Sequence, residues 1–264
     1  MKTVIVTGGT FGIGAGITVG LARAGWRVVA FGLESAQVSS TAHNGIRQVQ
    51  AELEQAGLEA DLLEADVSRA DDVARVVRHT LERHGRIDGL VNNAAIGPLG
   101  TVLDTDEALW DQIMAVNLKG VYLCARQVIP HMARQGGGAI VNVGSGAGWG
   151  KPNMAAYSAS KGGLVALGAA MAYDHFHQHI RVNTLIPGGG GIVSGMSLGR
   201  VGGDASKFGR NAAGSAAGRP VVPEDMAAAA AFLLSDQAAA ISGTVLDVGC
   251  FAHQGGPVPP RPQG

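Results

Sequence analysis

Residues 2–14 read KTVIVTGGTFGIG, a β-branched run that stops at a glycine-rich turn and passes straight into a helical pattern. That order decides the fold. A buried strand ends where Gly8, Gly12 and Gly14 permit a tight turn and close approach of the backbone to a ligand. The helix that opens there presents unpaired N–H groups and the positive end of its dipole, an arrangement that holds a pyrophosphate. Glycines also serve ordinary turns. The position between strand and helix, more than the glycines themselves, marks a dinucleotide-binding loop.

The same alternation continues along the chain. After the strand at 2–7, short apolar runs at 27–31, 58–65, 86–92, 139–144, 180–187 and 244–248 read as strands. Helical stretches fall near 13–24, 44–56, 69–84, 106–134, 155–178 and 223–235. Strands that alternate with helices build right-handed βαβ units. The expected fold is therefore α/β, a doubly wound parallel sheet of about seven strands with helices on both faces and ligands beyond the carboxyl ends of the strands. Residues 188–219, rich in Gly, Ala and Ser, are long for a plain connection and read as a mobile substrate loop within a single domain spanning 1–252. The Pro/Gly-rich tail 253–264 reads as extended or disordered unless it packs on a partner subunit.

Composition excludes several classes. The 264 residues are 46% hydrophobic and 16% charged, enough for one large core, although length alone would accommodate two domains. The formal charge of −1, with basic residues dispersed, argues against a nucleic-acid or membrane-surface partner. Cys124 and Cys250 offer neither metal spacing nor a disulfide framework, which points to a reduced, intracellular protein. The apolar N-terminus is broken by TGGTFGIGAG without a cleavage pattern. No stretch reaches about 18 uninterrupted apolar residues, so a cytoplasmic location is expected.

The stretch AAYSASKGG (155–163) places Tyr157 four residues before Lys161, on one helix face and among small residues. An ammonium beside a phenol favours its ionised form, which makes Tyr157 a plausible general acid/base; the plain alternative is a surface helix that carries both. Asp66, closing the third strand, can contact an adenine edge or simply cap the helix that starts near Ser68. Asn92, Asn93, Ala94 and Ala95 end the fourth strand with small residues suited to packing beside a cofactor. In HFHQH (175–179), His175 and His179 share a helical face, a metal-like spacing. Histidines also suit the negative end of a helix, and no metal site is expected.

From about residue 2 to 250 the chain resembles the short-chain dehydrogenase/reductase family. The matching residues come in order: TGGTFGIG, Asp66-Val67, Asn92-Asn93-Ala94-Ala95, Asn117 in WDQIMAVNLKG, Ser145 in IVNVGSG, Tyr157 and Lys161 in YSASK, and Pro187-Gly188 in VNTLIPG. The resemblance implies a Rossmann-like domain and catalysis by Asn117, Ser145, Tyr157 and Lys161. Tyr157 would exchange a proton with the substrate oxygen as hydride is transferred. Lys161 would lower its pKa and hold the nicotinamide ribose, Ser145 would donate to the developing oxyanion, and Asn117 would kink its helix and hold a water. Small residues around Tyr157 would leave room for nicotinamide and substrate. Cofactor contacts implied in the same way are Gly8, Thr10, Phe11, Gly12, Ile13, Gly14, Asp66, Val67, Asn93, Ala94, Ala95, Tyr157, Lys161, Pro187 and Gly188.

There are departures from the family pattern. The interval from Ser145 to Tyr157 is one residue shorter than in many members. PGGGGIVSGM lacks the usual hydroxyl residue after Pro-Gly, with Ser194 the nearest substitute, and VGCF (248–251) replaces the usual V-D-G-G.

After the second strand the chain reads AFGLES, with Gly32 where an acid binding the ribose 2′-hydroxyl is usual. Glu34 lies two residues on, either reaching the ribose or solvated. Neither Phe11 nor Leu33 offers the positive charge a 2′-phosphate needs, which favours NAD(H) over NADP(H). Substrate contacts are expected from Ile96 to Leu99, from Gly146 to Met154 with Trp149, and from the loop after Pro187. That loop carries Arg200, Lys207, Arg210 and Arg219 against Asp204; a basic lid suits an anionic substrate, although loop charges are ordinarily solvated.

The expected activity is hydride transfer between a nicotinamide and a small carbonyl or secondary alcohol. The alternatives are a non-catalytic dinucleotide-binding regulator, or a dehydratase or epimerase of the same family. The resemblance also implies a homotetramer built on the helices near 106–134 and 155–178.

Overall fold

Every residue of β1 (Thr3–Thr7, TVIVT) is buried, as a strand covered on both faces requires. Successive side chains serve opposite faces, so Val4 and Val6 enter one apolar layer and Ile5 the other. The computed structural model describes residues 1–34, 45–188, 192, 195–200 and 215–249. Its other strands are β2 (Arg27–Gly32), β3 (Asp61–Glu64), β4 (Gly89–Asn92), β5 (Gly138–Val143), β6 (Ile180–Pro187) and β7 (Val245–Val248). They form one sheet in the order β3-β2-β1-β4-β5-β6-β7, and every neighbouring pair is parallel. Chain direction across the sheet reverses between β1 and β4, which opens a crevice at their carboxyl ends, where Thr7 pairs with Phe31 on one side and Asn92 on the other.

The helices are α1 (Gly12–Arg23), α2 (Ile46–Gln55), α3 (Ala70–His84), α4 (Glu107–Met114), α5 (Gly120–Arg134), α6 (Ala155–Asp174), α7 (Gly195–Arg200) and α8 (Pro223–Leu234). Ile17, Leu21, Val49, Leu53, Met226 and Leu233 from α1, α2 and α8 close one layer. Val73, Val77, Val128, Met132 and Leu164 from α3, α5 and α6 close the other. Among the described residues no helix is long and apolar enough to cross a membrane.

Three sequence expectations change. The third strand is shorter than 58–65, because the Leu58 N–H turns back to the Leu53 carbonyl (2.8 Å) through Gly57 at φ +66°, finishing α2 instead of starting β3. The helix expected at 106–134 is divided by a π-turn, Ala115–Lys119, which contains Asn117. The helix expected to run to 178 stops at Asp174. A 3-10 turn (Phe176–Gln178) and His179 at φ +57° follow. His175 and His179 therefore share no helical face, and His175 Nδ1 meets Gln178 Oε1 at 2.7 Å. Ser194, Asp204, Lys207, Arg210, Cys250 and the tail 253–264 lie outside the described residues, as does most of the 188–219 loop. The described part of that loop contains α7, which the sequence pattern did not announce.

Candidate active site

The glycine loop follows β1 with Gly8 at φ +60° and Gly12 at φ +50°, a backbone that L side chains rarely adopt. Its shape is braced from β4. Thr7 Oγ1 accepts from the N–H groups of Asn93 (3.0 Å) and Ala94 (2.9 Å), while Asn93 Nδ2 donates to the carbonyls of Thr7 (3.1 Å) and Gly8 (3.0 Å). Asn93 thus spends its amide nitrogen on the loop itself. A Cβ on Gly14 would overlap both the Gly8 carbonyl oxygen and the Asn93 amide. Gly14→Ala is expected to lower stability by about 1–3 kcal/mol, because the extra carbon would displace the Gly8 backbone and the Asn93 amide that is hydrogen-bonded to it. A drop in the urea midpoint with unchanged slope would check this; no drop would mean that the loop yields freely.

Phe11 stands at the N-cap of α1 without a capping side chain, and the first turn holds no acid. That leaves the positive end of the helix open to an anion. Thr10 is fully buried, and its Oγ1 finds no hydrogen-bond partner among the described residues. A Cβ on Gly32 would come within 2.5 Å of that oxygen, so the end of β2 is kept glycine by Thr10 and has no space for the acid often found there. A glycine cradle, an uncapped helix end and an orphaned hydroxyl together fit a dinucleotide.

The Glu34 carboxylate accepts from the N–H of Ile46 and so caps the start of α2. Asp66 Oδ1 closes a turn by accepting from Ser68 N (2.8 Å) and Oγ (2.7 Å), while the Asp66 N–H donates to Asp72 Oδ2 (2.8 Å). That hydrogen bond holds the Asp72 carboxyl below its usual pKa. Of the two readings of Asp66, the structure supplies the local turn. Val67 is buried against Gly120. Ile13 packs on the core, Ala94 and Ala95 are half-buried, and Pro187-Gly188 ends β6 with the Gly188 N–H bonded to the Val248 carbonyl (2.9 Å).

Tyr157 and Lys161 do not lie on a surface helix. They are 6% and 3% exposed. Lys161 Nζ donates to the Val143 carbonyl at the end of β5 (2.8 Å) and lies 5.9 Å from the centroid of the Tyr157 ring. Burial pushes the ammonium below the usual lysine pKa; Tyr157 opposes that shift and the Arg200 charge adds to it. Among the described residues no group hydrogen-bonds the Tyr157 hydroxyl, and no acid pairs with Lys161.

The small residues of YSASKGG serve close packing. Ser160 Oγ receives a bond from Asn117 Nδ2 (3.0 Å) and gives one to the Tyr157 carbonyl (2.8 Å). Gly162 and Gly148 meet backbone to backbone, which docks the 3-10 turn Gly146–Trp149 against α6. Ser145 opens that turn, and its Oγ accepts from the Ala147 N–H (3.2 Å), leaving the hydroxyl proton free to point elsewhere. Asn117, fully buried in the π-turn, also accepts from Ile96 N (2.9 Å) and donates to Ile96 O (2.8 Å), tying the segment after β4 to α6.

The least foreseen neighbour is Arg200. Its guanidinium carbon lies 4.8 Å over the Tyr157 ring, and its Nε donates to the Gly97 carbonyl (3.0 Å). The sequence offered only a loop arginine, and nothing local signals this placement. Arg219, from the same loop, pairs with both oxygens of Asp225 (2.7 and 2.8 Å), an arrangement that holds the Asp225 carboxyl near pKa 2. Segments 96–99 and 146–154 and helix α7 all reach α6 around Tyr157. Leu99 and Trp149 are 41% and 50% exposed at this rim.

An uncapped helix end at a crevice in a parallel sheet can receive the phosphates of a dinucleotide. A phenol–ammonium pair at the same sheet edge can exchange a proton while hydride moves, so the class is a nicotinamide-dependent oxidoreductase. The family profile described as enoyl-(acyl carrier protein) reductase matches residues 8–250. A relative, 2-(S)-hydroxypropyl-CoM dehydrogenase 3 of Xanthobacter autotrophicus, is 38% identical over 97% of this chain and 96% of its own. Levodione reductase superposes with TM-score 0.83 at 31% identity, covering 97% of this chain and 98% of that one. A single-substitution variant of actinorhodin polyketide ketoreductase with NADPH does so with TM-score 0.84 at 32% identity, covering 96% and 97%. The chain belongs to the short-chain dehydrogenase/reductase family. It is an NAD(P)-dependent oxidoreductase that transfers hydride between a nicotinamide and an alcohol or ketone.

Proposed function

We propose that Tyr157 is the general acid/base of this reaction. The reading rests on one observation above the others: its hydroxyl is left unbonded by the described residues while a buried ammonium sits on the same helix face. In carbonyl reduction Tyr157 gives its proton to the substrate oxygen, and in alcohol oxidation it takes that proton back. Lys161 stabilises the ionised phenol and would hold the nicotinamide ribose. Ser145 donates its free proton to the developing oxyanion. Asn117 holds the π-turn and the Ile96 segment in register with Ser160, one residue from Lys161. When bound, the nicotinamide supplies or accepts the hydride.

Residues Gly8, Thr10, Phe11, Gly12, Ile13 and Gly14 would cradle the pyrophosphate. Asp66 and Val67 would border the adenine, and Asn93, Ala94, Ala95, Pro187 and Gly188 the nicotinamide half. Asn93 acts there through the loop carbonyls it holds. The proposed cofactor is NAD(H). No lysine or arginine occurs between Gly32 and Gly45, and Glu34 places a carboxylate beside the end of β2, which repels a 2′-phosphate.

The domain spans 1–252, with 188–219 as the substrate loop and 253–264 as a tail. An open groove of about 630 Å³ between α4, α5 and α6, lined by Met114, Leu118, Tyr122 and Leu167, supports assembly into a homotetramer through these helices. A cytoplasmic location suits a sequence whose two cysteines offer no disulfide framework.

The experiment that tests the reading is a titration with NADH and with NADPH, followed by nicotinamide fluorescence and then by a panel of ketones. NADH should bind at least about tenfold more tightly. Tighter NADPH binding would reverse the cofactor preference, and no binding of either at millimolar levels would overturn the cofactor site. Net oxidation of the bound cofactor by a ketone separates a reductase from a regulator, a dehydratase or an epimerase.

A further inference from the structure

Two cations converge on one phenol, and among the described residues no acid balances them. Arg200 and Lys161 both face the Tyr157 ring, at 4.8 and 5.9 Å, and among the described residues neither forms an ion pair. The two serve different geometries. Lys161 is buried to 3% exposure and committed to the Val143 carbonyl, whereas Arg200 reaches the ring from α7.

Arg200 is held in place without being satisfied. Its Nε is bonded to the Gly97 carbonyl (3.0 Å), which fixes the plane of the guanidinium, yet its Nη2 is buried and finds no acceptor among the described residues. A Cβ on Gly97 would overlap that same nitrogen, so the position depends on a glycine 103 residues away. Arg219 shows the opposite arrangement, with its fork closed on Asp225. A guanidinium held over the reacting phenol with an unsatisfied N–H suits a planar anion, the partner that a guanidinium grips in two parallel hydrogen bonds.

We propose that Arg200 anchors an anionic group on the substrate. The ketone or alcohol would then carry a carboxylate, or an equivalent oxyanion, a few bonds from the reacting carbon. This inference rests on the reading of Tyr157 as the proton donor, because Arg200 is placed relative to that ring. Such an anion would complete the hydrogen bonding of Arg200 and offset the paired positive charge beside Lys161. It would also orient the carbonyl towards Tyr157, since the two ends of the substrate would be held by residues in mutual contact.

The test compares matched probes on the cofactor-bound enzyme: levulinate against methyl levulinate, and acetoacetate against methyl acetoacetate. Wild type, Arg200→Gln and Arg200→Lys would each be followed by cofactor oxidation and by quenching of bound-nicotinamide fluorescence. The wild type is expected to favour each acid over its ester by about tenfold or more in kcat/KM. Arg200→Gln should erase most of that preference, with a change of about 10–100-fold in the acid-to-ester ratio, and Arg200→Lys should restore part of it. Equal preference for acid and ester in the wild type would overturn the proposal. So would an equal loss on both probes in Arg200→Gln, because the charge would then act on Tyr157 and not on the substrate. Should the acids quench the fluorescence saturably in wild type but not in Arg200→Gln, with no turnover of any probe, the anion site would stand and the assignment of Tyr157 would fail.

Discussion

Tyr157→Phe is expected to lower kcat/KM for carbonyl reduction by about 10²–10⁴-fold, the usual contribution of a positioned proton donor. The phenylalanine ring keeps what the structure uses for packing, since the Lys161 ammonium and the Arg200 guanidinium lie 5.9 and 4.8 Å from the ring centroid. Removing a hydroxyl that no described group bonds leaves no orphaned partner behind. Thermal midpoint and cofactor affinity should therefore stay close to wild type while turnover is lost. Parallel measurement of Tm, cofactor Kd and kcat/KM checks this. A variant that turns over normally would remove Tyr157 from the chemistry, and one that fails in all three would make it a packing residue.

Lys161→Met should be comparably damaging, with a loss of about 10²–10⁴-fold in kcat/KM. It should differ from the tyrosine variant by also weakening the cofactor, because the side chain that would hold the ribose is gone. The lysine also predicts a pH signature. Burial holds its folded-state pKa below the unfolded value of an ordinary lysine, against the opposing pull of Tyr157 and with the support of Arg200. Between the two values the unfolded chain binds more protons than the folded one, so the stability linked to Lys161 rises with pH across that window. The ammonium is lost on the same rise, and kcat/KM should begin to fall at a lower pH than an unperturbed lysine would allow. Denaturant titrations of wild type and Lys161→Met at neutral and alkaline pH would show the rise in the former and not in the latter. A pH-independent difference between them would mean that Lys161 keeps an ordinary pKa.

The strand and helix order was legible in the sequence because contiguous residues encode it. TVIVT and IRVNTLIP are rich in β-branched and apolar residues, and their burial on both faces follows directly from that. The glycine loop was legible for the same reason, as strand, turn and helix start occupy adjacent positions. The Tyr157–Lys161 spacing put both side chains on one face, but spacing alone could not say whether that face met solvent or the protein interior. Packing of the 3-10 turn Gly146–Trp149 and the Asn117 π-turn against α6 decided that they are buried.

By itself, then, the sequence determined the α/β class and the parallel alternation, and it singled out the residues proposed to bear the chemistry. These depend on local periodicity and on short motifs. The tertiary structure alone decided which groups those residues meet. It turned Asp66 into Ser68, set Glu34 at the start of α2, spent the Asn93 amide on the glycine loop and brought Arg200 onto Tyr157. Each of these is a competition for a hydrogen bond or a charge among partners that are brought together only when the chain has folded. Arg200 and Gly97, 103 residues apart, have no relation along the chain that periodicity could reveal.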